Sequence, residues 1–196
     1  MCSILGLVDF DKNCLNHKKQ IYDLNKVLSH RGPDDEGFFC DENIALAFNR
    51  LSIIDLEKGN QPIVFKDLIS IFNGEIYNYK EIKDELKNKN YIFKTNSDSE
   101  IIPAAFDCWG INFVNKLNGM FAIAIYDKKN KKLFLIRDRV GVKPLYYSRF
   151  NNKLIFASEI KGVINFPEFK KEVNFNAVYS YLAFRYPTNG KNVFFK

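Results

Sequence analysis

The second residue of this sequence is a cysteine, in Met1-Cys2-Ser3-Ile4. Methionine ahead of a small residue is commonly trimmed after synthesis. Trimming would leave a thiol and a free α-amine on one residue. An α-amine has an ordinary pKa near 7.7–8.0, so close to neutrality it can accept a proton. A thiol, with an ordinary pKa near 8.5, needs such help to become a good nucleophile. Base and nucleophile would then sit on the same residue, without a histidine. Taken alone, a cysteine at position two is more often a buried strand residue.

Three other segments carry chemistry-bearing residues. Arg50, in Arg50-Leu51-Ser52-Ile53-Ile54-Asp55, follows an apolar strand and suits a two-pronged grip on a carboxylate, or a surface ion pair. Asn73-Gly74 follows an apolar run and offers a side-chain amide beside an approachable backbone N–H. Those are the donors of an oxyanion hole, although Asn-Gly also makes a hairpin turn. A helix expected from Asn78 argues against a two-residue hairpin there. Ser97-Asp98-Ser99-Glu100 sets carboxylates at a helix start, where capping alone would explain them.

These residues need elements to position them. Residues 3–9 read as a short buried strand, and 17–30 as a helix with Ile21, Leu24, Val27 and Leu28 at helical spacing. The turn-rich stretch 31–37 breaks that helix, and short strands follow at 38–40, 44–48 and 50–54. A strand at 68–72 is expected to end at Asn73-Gly74. Asn78 with Glu81, and Ser97 with Glu100, look like capping boxes opening helices to about 87 and over 98–108. Residues 120–127 and 132–137 form a hairpin pattern, with strands near 144–148 and 153–157 and a helix over 174–184. Many strands with a few amphipathic helices and no βαβ rhythm indicate an α+β fold with largely antiparallel sheets.

Composition narrows the function. The chain has 196 residues, 46% hydrophobic and 27% charged, with 29 basic and 23 acidic residues for a net charge of +6. The lysines at 128, 129, 131 and 132 read as a solvated turn, and no basic stripe interleaves with aromatics, so no nucleic-acid partner is expected. No run approaches the ~20 apolar residues of a membrane span, and the start lacks a secretory pattern, so the expected compartment is the cytoplasm. Four cysteines without a CxxC spacing and two histidines suggest neither a disulfide framework nor a metal site.

The segments together resemble a known family. Met1-Cys2-Ser3-Ile4, Arg31-Gly32-Pro33-Asp34, Asn49 through Asp55, Gln61-Pro62, Asn73 through Asn78 and Ser97 through Glu100 are similar to the glutaminase domain of glutamine-hydrolysing asparagine synthetases. Leu117 through Ala122, Arg137 through Tyr147 and Phe156 through Lys161 extend the likeness over nearly the whole chain. That domain is a class II amidotransferase of the N-terminal-nucleophile type. The resemblance implies one domain over residues 1–196 and a four-layer αββα sandwich of two mainly antiparallel sheets. It implies Cys2 as nucleophile, with Asn73 and Gly74 as the oxyanion hole. Arg50 would bind the α-carboxylate of L-glutamine and Asp98, with Glu75, its α-ammonium. Leu51, Ile53 and Ile54 would form the pocket wall, and the Gly32-Pro33 stretch a nearby loop. No chemistry is assigned to Arg137-Asp138-Arg139. The domain itself would need no cofactor.

In the family a C-terminal domain uses ATP and Mg to activate aspartate; nothing here matches it, and the apolar end Asn192 through Lys196 reads as a truncated strand. The expected partner is therefore a synthetase domain, in cis or in trans, with homodimerisation open. The alternatives are a silent domain that docks on a synthetase, an ammonia donor to an acceptor other than aspartate, and a sugar-phosphate or phosphoribosyl amidotransferase.

Overall fold

The computed structural model describes residues 1–52 and 59–186. Two antiparallel sheets organise it. The first has five strands: β1 (Ser3–Asp9), β2 (Asp35–Cys40), β3 (Ile44–Arg50), β8 (Tyr146–Phe150) and β9 (Lys153–Ala157), in the order β2-β3-β1-β9-β8. The second has four: β4 (Ile63–Phe65), β5 (Leu68–Ile76), β6 (Gly119–Asp127) and β7 (Lys132–Arg137), in the order β4-β5-β6-β7.

Strand periodicity sorts the side chains into layers. From the first sheet Ile4, Ile44, Leu46, Phe48 and Phe156 point inward and meet Ile69, Ile71, Ala122, Ala124 and Tyr126 of the second. The opposite face of the second sheet, with Phe72, Ile76, Phe121, Ile123 and Ile125, packs on α2 (Tyr79–Lys87) and α3 (Ile101–Trp109) through Ile82, Leu86, Ile101 and Ile102. Helix α1 (Lys18–Lys26) lies across β3 and β1 on the outer face of the first sheet, burying Ile21 and Leu24. The order helix, sheet, sheet, helix is the expected αββα sandwich. Because its strands are covered on both faces, β3 is buried along its whole length and its alternation is invisible as an apolar–polar pattern.

The chain separates into two compact units, one ending at Val163 and the other beginning at Ile164. The sandwich is the first. In the second, α5 (Phe175–Phe184) starts where Asn174 Oδ1 accepts the Ala177 N–H and stops at Arg185, whose φ of 63° is left-handed. A short helix, α4 (Ile160–Ile164), ends at that boundary.

Several boundaries differ from the sequence expectation. The helix expected over 17–30 is α1 flanked by 3-10 turns at Cys14–His17 and Ser29–Arg31. Strand β2 starts at Asp35, inside the expected turn, because pairing with β3 runs from Asp35↔Arg50 onward. The strand proposed over 50–54 is not found at 51–52, and Ile53 and Ile54 lie outside the described residues. Asn78 does not cap α2; its amide instead donates to Lys116 O and its Oδ1 accepts from Asn118 N–H. At the next helix Ser97 does cap, through Ser99 N–H, while Glu100 turns back to the Lys94 and Thr95 N–H groups. The largest difference is β5, which runs through Asn73-Gly74 to Ile76.

Among the described residues no helix is long and apolar enough to cross a membrane. The shared interior predicts the largest stability effects at its big side chains. Phe156, fully buried between the sheets, is expected to cost about 3–5 kcal/mol when replaced by Ala. Urea titration should show a lower midpoint at unchanged slope.

Candidate active site

Residue parity brings the candidate residues to one end of the sandwich. Cys2 immediately precedes β1 and shares the inward side with Ile4, against whose cluster it packs. Arg50, two residues beyond Phe48 on β3, lies inward too, and Asn73 extends the inward row of Ile69 and Ile71 on β5. Cys2, Arg50, Leu51, Asn73, Gly74, Glu75 and Asp98 accordingly line one cleft, together with Gln61, Met120 and Lys143.

Cys2 is held from several directions. Its Sγ accepts from Leu51 N–H at 3.4 Å and lies 3.6 Å from Leu51 O. Its carbonyl accepts from Arg31 Nε at 3.0 Å. Arg31 is in turn anchored on Glu159 at 2.9 Å. Burial pushes the Glu159 carboxyl up, but hydrogen bonds from Arg31, His30 and Lys161 outweigh it and bring it to about 2. Two residues further on, Ile4 N–H and C=O both bond Ser158. Met1 is half exposed at the cleft, its Sδ 3.2 Å from Lys143 Nζ, so the Cys2 nitrogen here is a peptide nitrogen.

The oxyanion candidates follow from how β5 is paired. Phe72 gives its N–H to Gln61 Oε1 (2.6 Å) and its C=O to Gln61 Nε2 (3.1 Å), so it does not bond Ile123 opposite it on β6. In an antiparallel ladder bonded and non-bonded pairs alternate. Gly74, opposite Phe121, is therefore also a non-bonded position, and Phe121 indeed turns its N–H and C=O to Asp138. The Gly74 N–H thus points away from β6, along the edge that β4 has already left. Two residues on, the same edge gives Ile76 N–H to Asp98 Oδ2 at 3.0 Å. On the inward face Asn73 is 1% exposed, and its Nδ2 is buried with no hydrogen-bond partner among the described residues. A buried donor without an acceptor is rare and calls for a ligand. Asn73-Gly74 is an extended strand segment, so the hairpin-turn reading is excluded. Glycine is required at 74 because a Cβ there would sit 2.1 Å from Met120 O.

Charged groups flank these donors. Arg50 is 5% exposed and its Nη1 bonds Asn60 Oδ1 at 2.6 Å. The Gly32-Pro33 loop supports it from behind: Asp34 N–H bonds Arg50 O, and Asp34 Oδ2 accepts from Ser52 N–H. Asp98 is 5% exposed at a 3-10 turn. Burial is the main cause that pushes its carboxyl up to about 6, with Glu75 adding repulsion and the Ile76, Asp98 and Ser99 N–H groups partly offsetting both.

The Arg137-Asp138-Arg139 segment is a structural knot. Asp138 accepts from Val142, Lys143 and Phe121 N–H, while Arg137 bonds Lys143 O and Gly141 O. Burial raises the Asp138 carboxyl, but those amides hold it below the usual range. The knot projects Lys143, a buried cation that sequence reasoning missed as a cleft residue. Gln61 and Arg31 were also missed; their contacts are to backbone distant in sequence, which no spacing reveals. Among the described residues no three His, Cys, Asp or Glu side chains are grouped to hold a metal.

Comparison with known proteins gives the family and the fold. The family profile of the glutamine amidotransferase domain matches residues 1–196, and the chain belongs to that family. Among curated relatives it is 42% identical over 186 residues to asparagine synthetase [glutamine-hydrolyzing] 2 of Bacillus subtilis (strain 168), covering 92% of this chain and 24% of that protein. It is 36% identical over 167 residues to asparagine synthetase B [glutamine-hydrolyzing] of Escherichia coli (strain K12), covering 84% of this chain and 30% of that protein. The chain thus spans well under half the length of these relatives. The fold is shared with the glutamine phosphoribosylpyrophosphate amidotransferase of B. subtilis, solved with ADP and GMP, at a TM-score of 0.72 and 20% identity, covering 88% of this chain and 45% of that one.

The raised Asp98 pKa gives a stability prediction. The folded state binds this proton more tightly than the unfolded chain, whose aspartate titrates near 3.9. Asp98 therefore favours the fold below about pH 4, and that contribution is lost as pH rises through about 6. Asp98→Asn, which keeps an acceptor for Ile76 N–H, is expected to raise the melting temperature at pH 8 and to leave it nearly unchanged at pH 4. Thermal denaturation at the two pH values checks this.

Proposed function

We propose that this chain is a glutaminase unit that hydrolyses L-glutamine to glutamate and ammonia through a thioester on Cys2. The observation that carries the reading is the meeting, in one cleft, of the Cys2 thiol with Asn73 Nδ2, which has no hydrogen-bond partner among the described residues, and with Gly74, whose N–H the strand pairing turns away from β6. Removal of Met1 exposes the α-amine of Cys2, which takes the thiol proton. The thiolate attacks the side-chain amide carbon of glutamine, and the developing oxyanion lies against Asn73 and Gly74. The α-amine returns its proton to the departing ammonia, and water then releases glutamate from the thioester. Arg50 holds the α-carboxylate, Asp98 and Glu75 the α-ammonium, and Leu51, Ile53 and Ile54 would shape the wall of the pocket. No cofactor takes part in these steps.

We further propose that residues 1–196 are one working domain of a cytoplasmic protein, and that the ammonia passes to an ATP- and Mg-dependent synthetase domain, in cis or in trans, that amidates aspartate. The names of the relatives and the share of their length that the chain spans support that reading. With Met1 retained the base is blocked, and the chain would then be a silent docking domain.

Four measurements test the reading. Intact mass should show loss of Met1, and a glutamate-release assay should show turnover that Cys2→Ala abolishes; a folded, Met1-free sample without release overturns it. Asn73→Ala should lower kcat roughly 10²–10³-fold with little change in KM. Because a proton competes with the substrate ammonium for Asp98, KM for glutamine should rise as pH falls through about 6 while remaining flat above it.

A further inference from the structure

We propose that Gln61 is a positioning residue for the oxyanion hole, a strut that fixes the strand carrying Asn73 and Gly74 relative to the sheet carrying Cys2. The inference rests on the glutaminase reading above and adds to it a residue that touches no reacting atom. Within each sheet, hydrogen bonds set strand positions to a few tenths of an ångström. Between the sheets the interior is apolar, and apolar packing is non-directional. The nucleophile belongs to the first sheet and the hole to the second, so their separation needs a directional link.

Gln61 has the contacts of such a link. Its buried side chain makes both of its amide bonds to Phe72, the residue immediately before Asn73. The pairing Ile63↔Ser70 continues to residue 61 opposite Phe72, and there a side chain takes the place of strand backbone. The edge of β5 is thereby closed up to Phe72, Asp98 closes it again at Ile76, and Gly74, turned to the same edge by the pairing with β6, lies between them. The Gln61 backbone meanwhile lies against β2 of the first sheet: a Cβ on Gly37 would fall 1.6 Å from Gln61 O. Gly37 pairs with Phe48, so this contact is made on the inward face. The neighbouring Asn60 bonds Arg50 at 2.6 Å, which ties the carboxylate-binding arginine to the same segment. Misplacing reacting groups by about 1 Å can cost roughly 10² in rate, so a strut at this point acts on kcat.

The test uses the Met1-free chain with Gln61→Leu, which keeps bulk without the two bonds, and Gln61→Glu. Gln61→Leu should lower kcat at least tenfold with KM for glutamine changed less than threefold. The γ-aldehyde analogue of glutamine, which forms a tetrahedral thiohemiacetal, should bind more weakly by a similar factor. Alkylation of Cys2 by iodoacetamide, which forms no oxyanion, should keep its wild-type rate. In Gln61→Glu the introduced carboxyl, once protonated, can again accept from Phe72 N–H and donate to Phe72 O. The ratio of its kcat to that of wild type should therefore rise as pH falls from 8 to 6. Amide hydrogen exchange supplies a readout independent of activity: Phe72 should lose protection in Gln61→Leu while Asn73, bonded to β6, keeps it. Retained Phe72 protection, an unchanged kcat, or an equal fall in iodoacetamide reactivity would each overturn the strut. If the wild type itself releases no glutamate, the glutaminase reading falls, and the exchange measurement alone decides the strut.

Discussion

The site depends on one interrupted hydrogen-bond ladder. Strand β5 is paired along β6 throughout, but its other edge is served by a three-residue strand, then by one glutamine side chain, then by one aspartate. An open strand edge in a folded interior is costly, because each unpaired backbone group forfeits a hydrogen bond. Among the described residues, side chains serve this edge at Phe72 and Ile76, on either side of Gly74. The missing side chain at 74 lets β5 and β6 stay close while the N–H faces the cleft.

The electrostatics of the cleft follow the same economy. Arg50, Asp98 and Lys143 are each more than nine-tenths buried at one end of the sandwich. Burying charge is unfavourable unless partners are supplied, and Asp98 shows the penalty as a carboxyl raised to about 6. At the opposite end of β1 the balance is different. Asp9 is buried beside His17 (2.8 Å) and Lys153 (3.6 Å) and accepts from the Asp11 and Lys12 N–H groups. Burial raises that carboxyl, but these partners outweigh it and hold it below the usual range. One end of the strand surrounds its carboxylate with cations and amides; at the other, burial dominates the Asp98 carboxyl.

Much of the fold was legible beforehand, since β1, the β6–β7 hairpin, β9 and α5 fall close to where pattern and turn residues place them. The misplaced boundaries share a cause. Asn73-Gly74 and the end of the stretch after Arg31 carry turn chemistry, yet long-range pairing keeps Asn73-Gly74 extended on β6 and residues 35–37 extended on β3. Asn78 looks like a cap, but its amide is worth more to the Lys116–Asn118 backbone. Local propensity amounts to a few tenths of a kcal/mol to about 1 kcal/mol per residue, and tertiary partners override it.

The sequence by itself determined the residue types: a cysteine at position two, an arginine closing one strand, Asn-Gly on another and an acidic turn, in an order specific enough to name a family. It did not determine which of them look inward, because β3 is buried on both faces and β5 runs past its expected end through Asn73 and Gly74. Only the tertiary structure decided which faces oppose each other, which edge of β5 stays open, and that the Gln61 amide and the Arg31 guanidinium reach backbone on distant strands. The physical reason is that a side chain's identity is local, whereas a free hydrogen-bond donor is defined by the partners that the rest of the chain fails to bring to it.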